Sequence, residues 1–150
     1  SGIDCFQLFE TYSGIISNED YKNFILPLST KILLEARESG VPTIFFPKNF
    51  NEGLKYINKE MCDYVSVDYD ISLEYARNLL DSEVGIQGNM DPKTFYLEID
   101  QIDSYLESLI DFGSKNTDWI FNLGHGFRPD IDHNKVKYVV DWIKNANWKR

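Results

Sequence analysis

Residues 119–130 read WIFNLGHGFRPD, a short apolar run that leads directly into a polar, glycine-rich turn. Four more apolar runs of strand length occur in the chain, and an amphipathic helical pattern follows each run. The five runs cover residues 4–9, 43–46, 64–67, 84–87 and 119–123. Regular alternation of strands and helices is typical of βαβ units, whose strands form a parallel sheet that is covered on both faces.

The helical patterns lie at residues 17–40, 51–61, 71–80, 99–113 and 132–144. Ser17 and Asp20 are spaced like a capping box, Pro27 is expected to kink or divide the first helix, and Asp132 is a candidate N-cap for the last. A (β/α)8 barrel takes about 250 residues, or roughly 30 per unit, so 150 residues match about five parallel β/α units. The sequence therefore predicts an α/β fold that is either part of such a barrel or an open parallel sheet.

Composition excludes several classes of protein. The chain has a net charge of −9, which argues against a nucleic-acid partner or an anionic membrane surface, because few cations are available to neutralise phosphates. No apolar run approaches the ~20 residues that span a bilayer. The two cysteines, Cys5 and Cys62, are far apart and are interpreted as buried thiols of a reducing compartment, so a soluble, cytoplasmic domain is expected.

The first residues carry a further indication. The chain starts at Ser1, its methionines are Met61 and Met90, and a strand pattern begins almost at once. These features favour a piece of a longer protein.

Polar residues follow every predicted strand. In a parallel sheet or barrel the carboxyl ends of the strands meet on one face, where active sites are built. We therefore expect these side chains to converge, although each one taken alone is equally well explained as an ordinary strand end. They are Glu10, Thr11, Tyr12, Lys48, Asn49, Asp68, Gln87, Asn89 and His125.

His125 lies between Gly124 and Gly126. Glycines allow a ligand to approach the backbone closely and permit backbone angles closed to other residues, and an imidazole can bind a carboxylate or move a proton near neutral pH. A structural histidine in an ordinary turn is the alternative. The segment lacks the third glycine of a dinucleotide fingerprint, and the chain contains no P-loop.

A metal site is the other interpretation of this region, since histidines and carboxylates alternate in HGFRPDIDH. The pattern of a turn followed by a helix cap argues against it, and no metal is expected. The residues concerned are His125, Asp130, Asp132 and His133.

Five segments together resemble the uroporphyrinogen decarboxylase family: LFETYSG at 8–14, FFPKNF at 45–50, YVSVDYD at 64–70, GIQGNMDP at 85–92 and FNLGHGFRPD at 121–130. The resemblance implies a cofactor-independent (β/α)8 TIM barrel, usually a homodimer, that removes carbon dioxide from the four acetates of uroporphyrinogen to give coproporphyrinogen. It also implies that residues 1–150 are the carboxyl-terminal part of that barrel, from about its fourth strand onward.

The resemblance implies roles for individual residues. Thr11 matches the hydroxyl that bonds to a substrate carboxylate, His125 matches the catalytic and substrate-binding histidine, and Phe9 and Phe46 match apolar positions beside the porphyrinogen. Arg128 departs from the family, where its position is usually apolar or aromatic, and is interpreted either as an extra carboxylate contact or as a surface residue. Further departures are Tyr12, Ser13 and Pro47.

The family's central aspartate, paired arginines and active-site tyrosine belong to the amino-terminal part, which this chain does not contain. The chain alone is therefore expected to be inactive and to need that part as a partner. Two alternatives remain: a non-catalytic half-barrel that associates with a partner, and a cobalamin or coenzyme M methyltransferase-like barrel. The second is disfavoured, because its zinc-binding cysteines have no counterpart at the matching strand ends.

Overall fold

The computed structural model describes residues 2–148. Their sheet has five strands in the order β1-β2-β3-β4-β5, and every neighbouring pair is parallel. The strands are β1 (Phe6–Glu10), β2 (Thr43–Pro47), β3 (Tyr64–Ser66), β4 (Gly85–Gln87) and β5 (Trp119–Ile120). The predicted α/β fold of successive parallel β/α units is confirmed.

Helical elements follow each strand. The α-helices are α1 (Asn18–Asp20), α2 (Leu26–Arg37), α3 (Leu73–Leu79), α4 (Ile99–Ser108), α5 (Ile110–Lys115) and α6 (His133–Asn145). A π-helical segment (Tyr21–Ile25) joins α1 to α2, and 3-10 helices occupy Ser13–Ile15, Asn51–Tyr56 and Pro92–Tyr96.

The predicted helix signals are largely confirmed. The Asp132 side chain caps α6 by accepting the Asn134 N–H, and Ser17 Oγ accepts the Asp20 N–H at 3.1 Å. Pro27 lies in the first turn of α2, directly after the π-helical segment. Because proline has no N–H to donate to the preceding turn, the α-helical hydrogen-bond pattern is interrupted by the π-helical segment, while the helix itself runs on from Asn18 to Arg37.

Several element boundaries differ from the sequence prediction. Strand β1 begins two residues later than expected, at Phe6, and β5 ends at Ile120. The helix predicted at 51–61 is only a 3-10 helix over Asn51–Tyr56, with Gly53 packed against the Phe50 ring. The helix predicted at 99–113 is interrupted at Leu109, which separates α4 from α5.

The two faces of the sheet have different environments. Phe45, Val65 and Ile86 stand next to one another in the register and are buried in the main apolar core. Side chains alternate along a strand, so the residues between them point to the opposite face. That face carries Gln7, Phe9, Phe46, Gln87 and Ile120.

The opposite face is concave. Gln87 on β4 donates a side-chain hydrogen bond to Gln7 on β1 at 3.3 Å, across the two intervening strands. Phe9 on this face is 65% exposed, and Ile120 is also exposed. The sheet is thus curled like part of a (β/α)8 barrel, with its interior face open among the described residues.

The cysteines differ from each other. Cys62 is buried, as predicted, whereas the prediction for Cys5 was wrong, because its side chain is exposed just before β1. The sequence there is apolar enough for a strand, but the regular strand begins only at Phe6 and Cys5 lies outside it. Among residues 2–148, none of the helices has both the length and the apolar character that a bilayer span requires.

Candidate active site

The loops after the five strands meet at the carboxyl edge of the sheet. Lys48 N–H donates to Glu10 O at 2.9 Å, which joins the ends of β2 and β1. On the other side Met90 N–H donates to Asn122 O at 3.1 Å, and Met90 pairs in parallel with Leu123. The ladder therefore continues beyond the regular strands and fixes the loops that follow them.

Asp68 connects three of these loops. Its side chain is only 3% exposed, and its Oδ2 accepts the backbone N–H of Asn49. Its backbone oxygen accepts a hydrogen bond at 2.7 Å from the Asn89 side chain, which also donates to Ile71 O. Asn49 has a positive φ of 59°, a conformation that asparagine tolerates better than most residues. The ends of β2, β3 and β4 are thereby held together.

Burial raises the pKa of the Asp68 carboxyl, and the neighbouring Asp70 raises it further. The Asn49 N–H, Lys48 and His125 each lower the pKa of Asp68, but their effects together are smaller than those that raise it. Burial disfavours the charged form of a carboxyl group, which explains the sign. His125 is therefore near enough to Asp68 to interact with it electrostatically.

The turn that carries His125 packs directly on the end of β3. A Cβ on Gly124 would lie 2.3 Å from Tyr69 N, so only glycine fits, and Gly124 N–H donates to Met90 O at 2.9 Å. The close approach at Gly124 is thus made by the Tyr69 backbone, and the expected approach of a ligand to this turn stays a prediction. The expected unusual backbone angles are wrong, because the described glycines with positive φ are Gly2, Gly40 and Gly88.

His125 is exposed and is not held as a structural histidine would be. Its Nδ1 lies 3.5 Å from Gly126 O, the one hydrogen-bond contact of the ring within the described chain. The ring borders a pocket of about 260 Å³ that opens at the carboxyl edge of the sheet. The pocket is lined by Tyr69, Asp91, Pro92, Lys93, His125, Gly126, Phe127 and Arg128.

Thr11 lies in the exposed turn directly after β1. The turn is anchored on both sides: Glu10 Oε1 accepts the Tyr12 N–H at 2.9 Å, and the buried Ser13 donates its hydroxyl hydrogen to Lys48 O. These bonds leave the Thr11 hydroxyl available at the same edge that carries His125.

The two aromatic residues lie together on the concave face. The rings of Phe9 and Phe46 are 6.0 Å apart in an edge-to-face arrangement, and they come from paired positions of β1 and β2. The structure thus joins Phe9 to Phe46 and places Thr11 just beyond them. Thr11 is not among the described residues that line the His125 pocket, so a cleft shared by Thr11 and His125 stays a prediction.

Sequence reasoning missed several residues of the pocket, among them Tyr69 and Lys93. Tyr69 follows Asp68 directly and had the same strand-end signal, whereas Lys93 lies six residues beyond β4. Its place depends on the 3-10 helix at Pro92–Tyr96, which folds back beside the β5 loop.

The residues considered as metal ligands are occupied elsewhere or point to solvent. Asp130 accepts the Tyr96 hydroxyl hydrogen, Asp132 caps α6, and the His133 side chain is 90% exposed. No group of three or more candidate ligands is assembled within residues 2–148. Both cysteines precede strands, so they lie at the edge of the sheet opposite to His125.

Comparison with known proteins assigns the family. The family model described as uroporphyrinogen decarboxylase (URO-D) matches residues 1–146. The chain is 33% identical over 145 residues to uroporphyrinogen decarboxylase of Vesicomyosocius okutanii, an alignment that covers 95% of this chain and 42% of the relative.

Two other relatives agree. The chain is 32% identical over 154 residues to the uroporphyrinogen decarboxylase of Chlorobium phaeovibrioides (99% of this chain, 44% of the relative). It is 33% identical over 147 residues to that of Francisella tularensis subsp. novicida (96% and 43%). The chain thus spans less than half the length of these curated relatives, and over that length it belongs to the uroporphyrinogen decarboxylase family.

Proposed function

We propose that this chain supplies the carboxyl-terminal part of a uroporphyrinogen decarboxylase, which converts uroporphyrinogen to coproporphyrinogen by removing four acetate carboxyl groups. The observation that carries the proposal is the exposed His125, presented by a turn that packs on the end of β3 and bordering a pocket at the carboxyl edge of the sheet. Family membership over residues 1–146 supports the choice of reaction.

Each candidate residue has a distinct role in this proposal. His125 and the Thr11 hydroxyl orient the acetate that reacts, by hydrogen bonds that a carboxylate accepts. Phe9 and Phe46 provide an apolar wall for the pyrrole rings on the concave face. The reaction protonates the pyrrole ring, releases carbon dioxide and then protonates the exocyclic carbon, and none of these steps requires a cofactor in the proposal.

The remaining part of the site comes from an amino-terminal partner segment. Strand β1 has a neighbour on one side only within the described chain, and Phe9 and Ile120 are exposed on the concave face. Additional parallel strands would cover both features. They would also bring the cations that an octacarboxylate needs, since this chain has 15 Lys and Arg against 24 Asp and Glu.

We further propose that the chain alone is inactive, that the complete barrel is a cytoplasmic homodimer, and that it works without metal or organic cofactor. The alternative is a non-catalytic half-barrel, and the following experiment distinguishes it from the decarboxylase.

The test compares three samples: the 150-residue chain, the chain co-expressed with the amino-terminal segment from its own source, and the same pair with Thr11→Val. Conversion of uroporphyrinogen is followed by chromatography of the oxidised products. We expect no conversion by the chain alone, conversion by the pair and a lower rate with Thr11→Val; a further sample, the pair with Thr11→Ser, should recover most of that rate. Conversion by the chain alone would contradict the proposed division of the site, and no conversion by the pair would contradict the function.

A further inference from the structure

A concentration of positive charge lies at the rim of the site in a strongly acidic chain. Lys93 and Arg128 both line the pocket that His125 borders, although the chain carries a net charge of −9. The one carboxylate among the lining residues is Asp91, whose Oδ1 accepts the Lys93 backbone N–H at 2.8 Å and so caps the following 3-10 helix.

The two cations are unpaired within the described chain. Arg37 and Arg77 form salt bridges with Asp63 and Asp118, whereas Arg128 forms none among residues 2–148. The Lys93 ammonium likewise forms no salt bridge or side-chain hydrogen bond within the described residues. Arg128 therefore keeps all the N–H donors of its guanidinium for a ligand.

The backbones that carry these cations are fixed to each other. The Phe95 and Phe127 rings lie 5.5 Å apart, and the Tyr96 hydroxyl donates to Asp130 at 2.8 Å. The Ile131 N–H closes the turn by donating to Arg128 O at 3.2 Å. The 3-10 helix with Lys93 and the loop with Arg128 thus form one unit beside His125.

We propose that Lys93 and Arg128 form an anion subsite beside His125 that binds a second carboxylate, on the periphery of the substrate. Its identity as a porphyrinogen carboxylate rests on the proposed function. The guanidinium and ammonium groups hold the carboxylate by charge-assisted hydrogen bonds, and Tyr69 and Phe127 border the carbon chain that bears it. This chain therefore contributes part of the cationic recognition itself.

The test measures binding of uroporphyrin, the stable oxidised octacarboxylate, by fluorescence titration of the protein in its native assembly. Arg128→Gln should raise the Kd about 5-fold, Lys93→Gln about 3-fold and the double variant about 10-fold or more. The matched control is Lys144→Gln, which removes the same charge from the exposed last turn of α6 and should leave the Kd unchanged. In 0.5 M salt the differences should shrink to less than about 2-fold, because the rim is open to screening.

Equal Kd values for wild type, Arg128→Gln and Lys93→Gln would overturn the subsite. The same holds for an equal rise in the Kd of Arg128→Gln, Lys93→Gln and Lys144→Gln. Failure of the wild type to bind uroporphyrin would overturn it as well. The two proposals fail separately. If the protein converts uroporphyrinogen but the Kd for uroporphyrin does not change in Arg128→Gln and Lys93→Gln, only the decarboxylase function is supported. If uroporphyrin binding depends on Arg128 and Lys93 but the protein does not convert uroporphyrinogen, only the anion subsite is supported.

Discussion

Gln87 on β4 donates a hydrogen bond to Gln7 on β1 at 3.3 Å, although the two residues are 80 positions apart and two strands lie between them. Neighbouring strands are about 4.8 Å apart, so a flat sheet would separate β1 from β4 by roughly 14 Å with both side chains perpendicular to it. The bond forms because the sheet curls around its interior face, which carries both glutamines. That curl brings the strand-end loops towards a common axis.

The Gln7–Gln87 bond should contribute measurably to stability. Gln87 is 4% exposed, so losing its partner leaves a buried amide unsatisfied, and Gln7→Met should lower the free energy of unfolding by about 1–2 kcal/mol. Gln87→Met and the double variant complete a double-mutant cycle, measured by urea denaturation. We expect a coupling free energy of about 0.5–1.5 kcal/mol. Strictly additive effects would contradict a curled sheet in solution.

The glycines on either side of His125 should respond differently to a methyl group. Gly124→Ala would place its Cβ 2.3 Å from Tyr69 N, and backbone atoms move only at a cost, so we expect a loss of about 1–3 kcal/mol. Gly126→Ala is the matched control, since no atom lies within 4 Å of the position that its methyl group would take, and it should change stability by less than about 1 kcal/mol. Thermal unfolding measures both. Equal losses would mean that the His125 turn does not pack on β3.

His125→Asn should separate function from stability. The ring is exposed and has a single contact at 3.5 Å, so the substitution should change the free energy of unfolding by less than about 0.5 kcal/mol. If the proposed function holds, it should lower turnover in the complete barrel at least about 10-fold, because the proposal has His125 orient the substrate. His133→Asn, at a side chain that is 90% exposed on α6, is the control and should change neither quantity. Lost stability with unchanged activity would make the GHG segment an ordinary turn.

The buried Asp68 predicts a pH-dependent effect on stability. Its pKa is raised from 3.8 by burial, so the folded protein binds this proton more tightly than the unfolded chain does. Wild-type stability should therefore fall as the pH rises from about 3.8 through the raised pKa. Asp68→Asn retains an acceptor for the Asn49 N–H, but its side chain does not ionise, so the variant should not lose stability over this pH range.

The measurement for Asp68 is urea unfolding of wild type and Asp68→Asn at pH 4 and pH 7. The variant should gain stability relative to wild type between the two values. A difference that is the same at both pH values would show that the folded-state pKa of Asp68 is not raised.

Local patterns in the sequence were sufficient for the order and direction of the elements. Apolar runs of strand length alternate with amphipathic helices, and such alternation leads to a parallel sheet because each helix returns the chain to the same edge. Asp132 was identified as a helix cap and Pro27 as an interruption of the α-helical pattern because capping and the missing proline N–H act within one turn. The grouping of strand-end residues followed from the same topology.

Segments that depend on distant partners were predicted less well. Cys5 was expected to be buried because the residues around it suit a strand, but burial depends on packing against distant elements, and the Cys5 side chain is exposed. Residues 51–61 have a helical pattern, yet only a 3-10 helix forms, and its Asn51 and Glu52 side chains bond to Asp70 and Tyr75, which lie beyond β3.

The sequence by itself determined the five parallel β/α units, their caps and the position of His125 and Thr11 at the carboxyl edge, because these follow from local periodicity and connection rules. Only the tertiary structure decided the curl marked by Gln7 and Gln87, the burial of Asp68 and the meeting of Lys93 with Arg128. Each of these depends on contacts between residues far apart in the chain. Such contacts are set by the packing of whole elements, which no local pattern encodes.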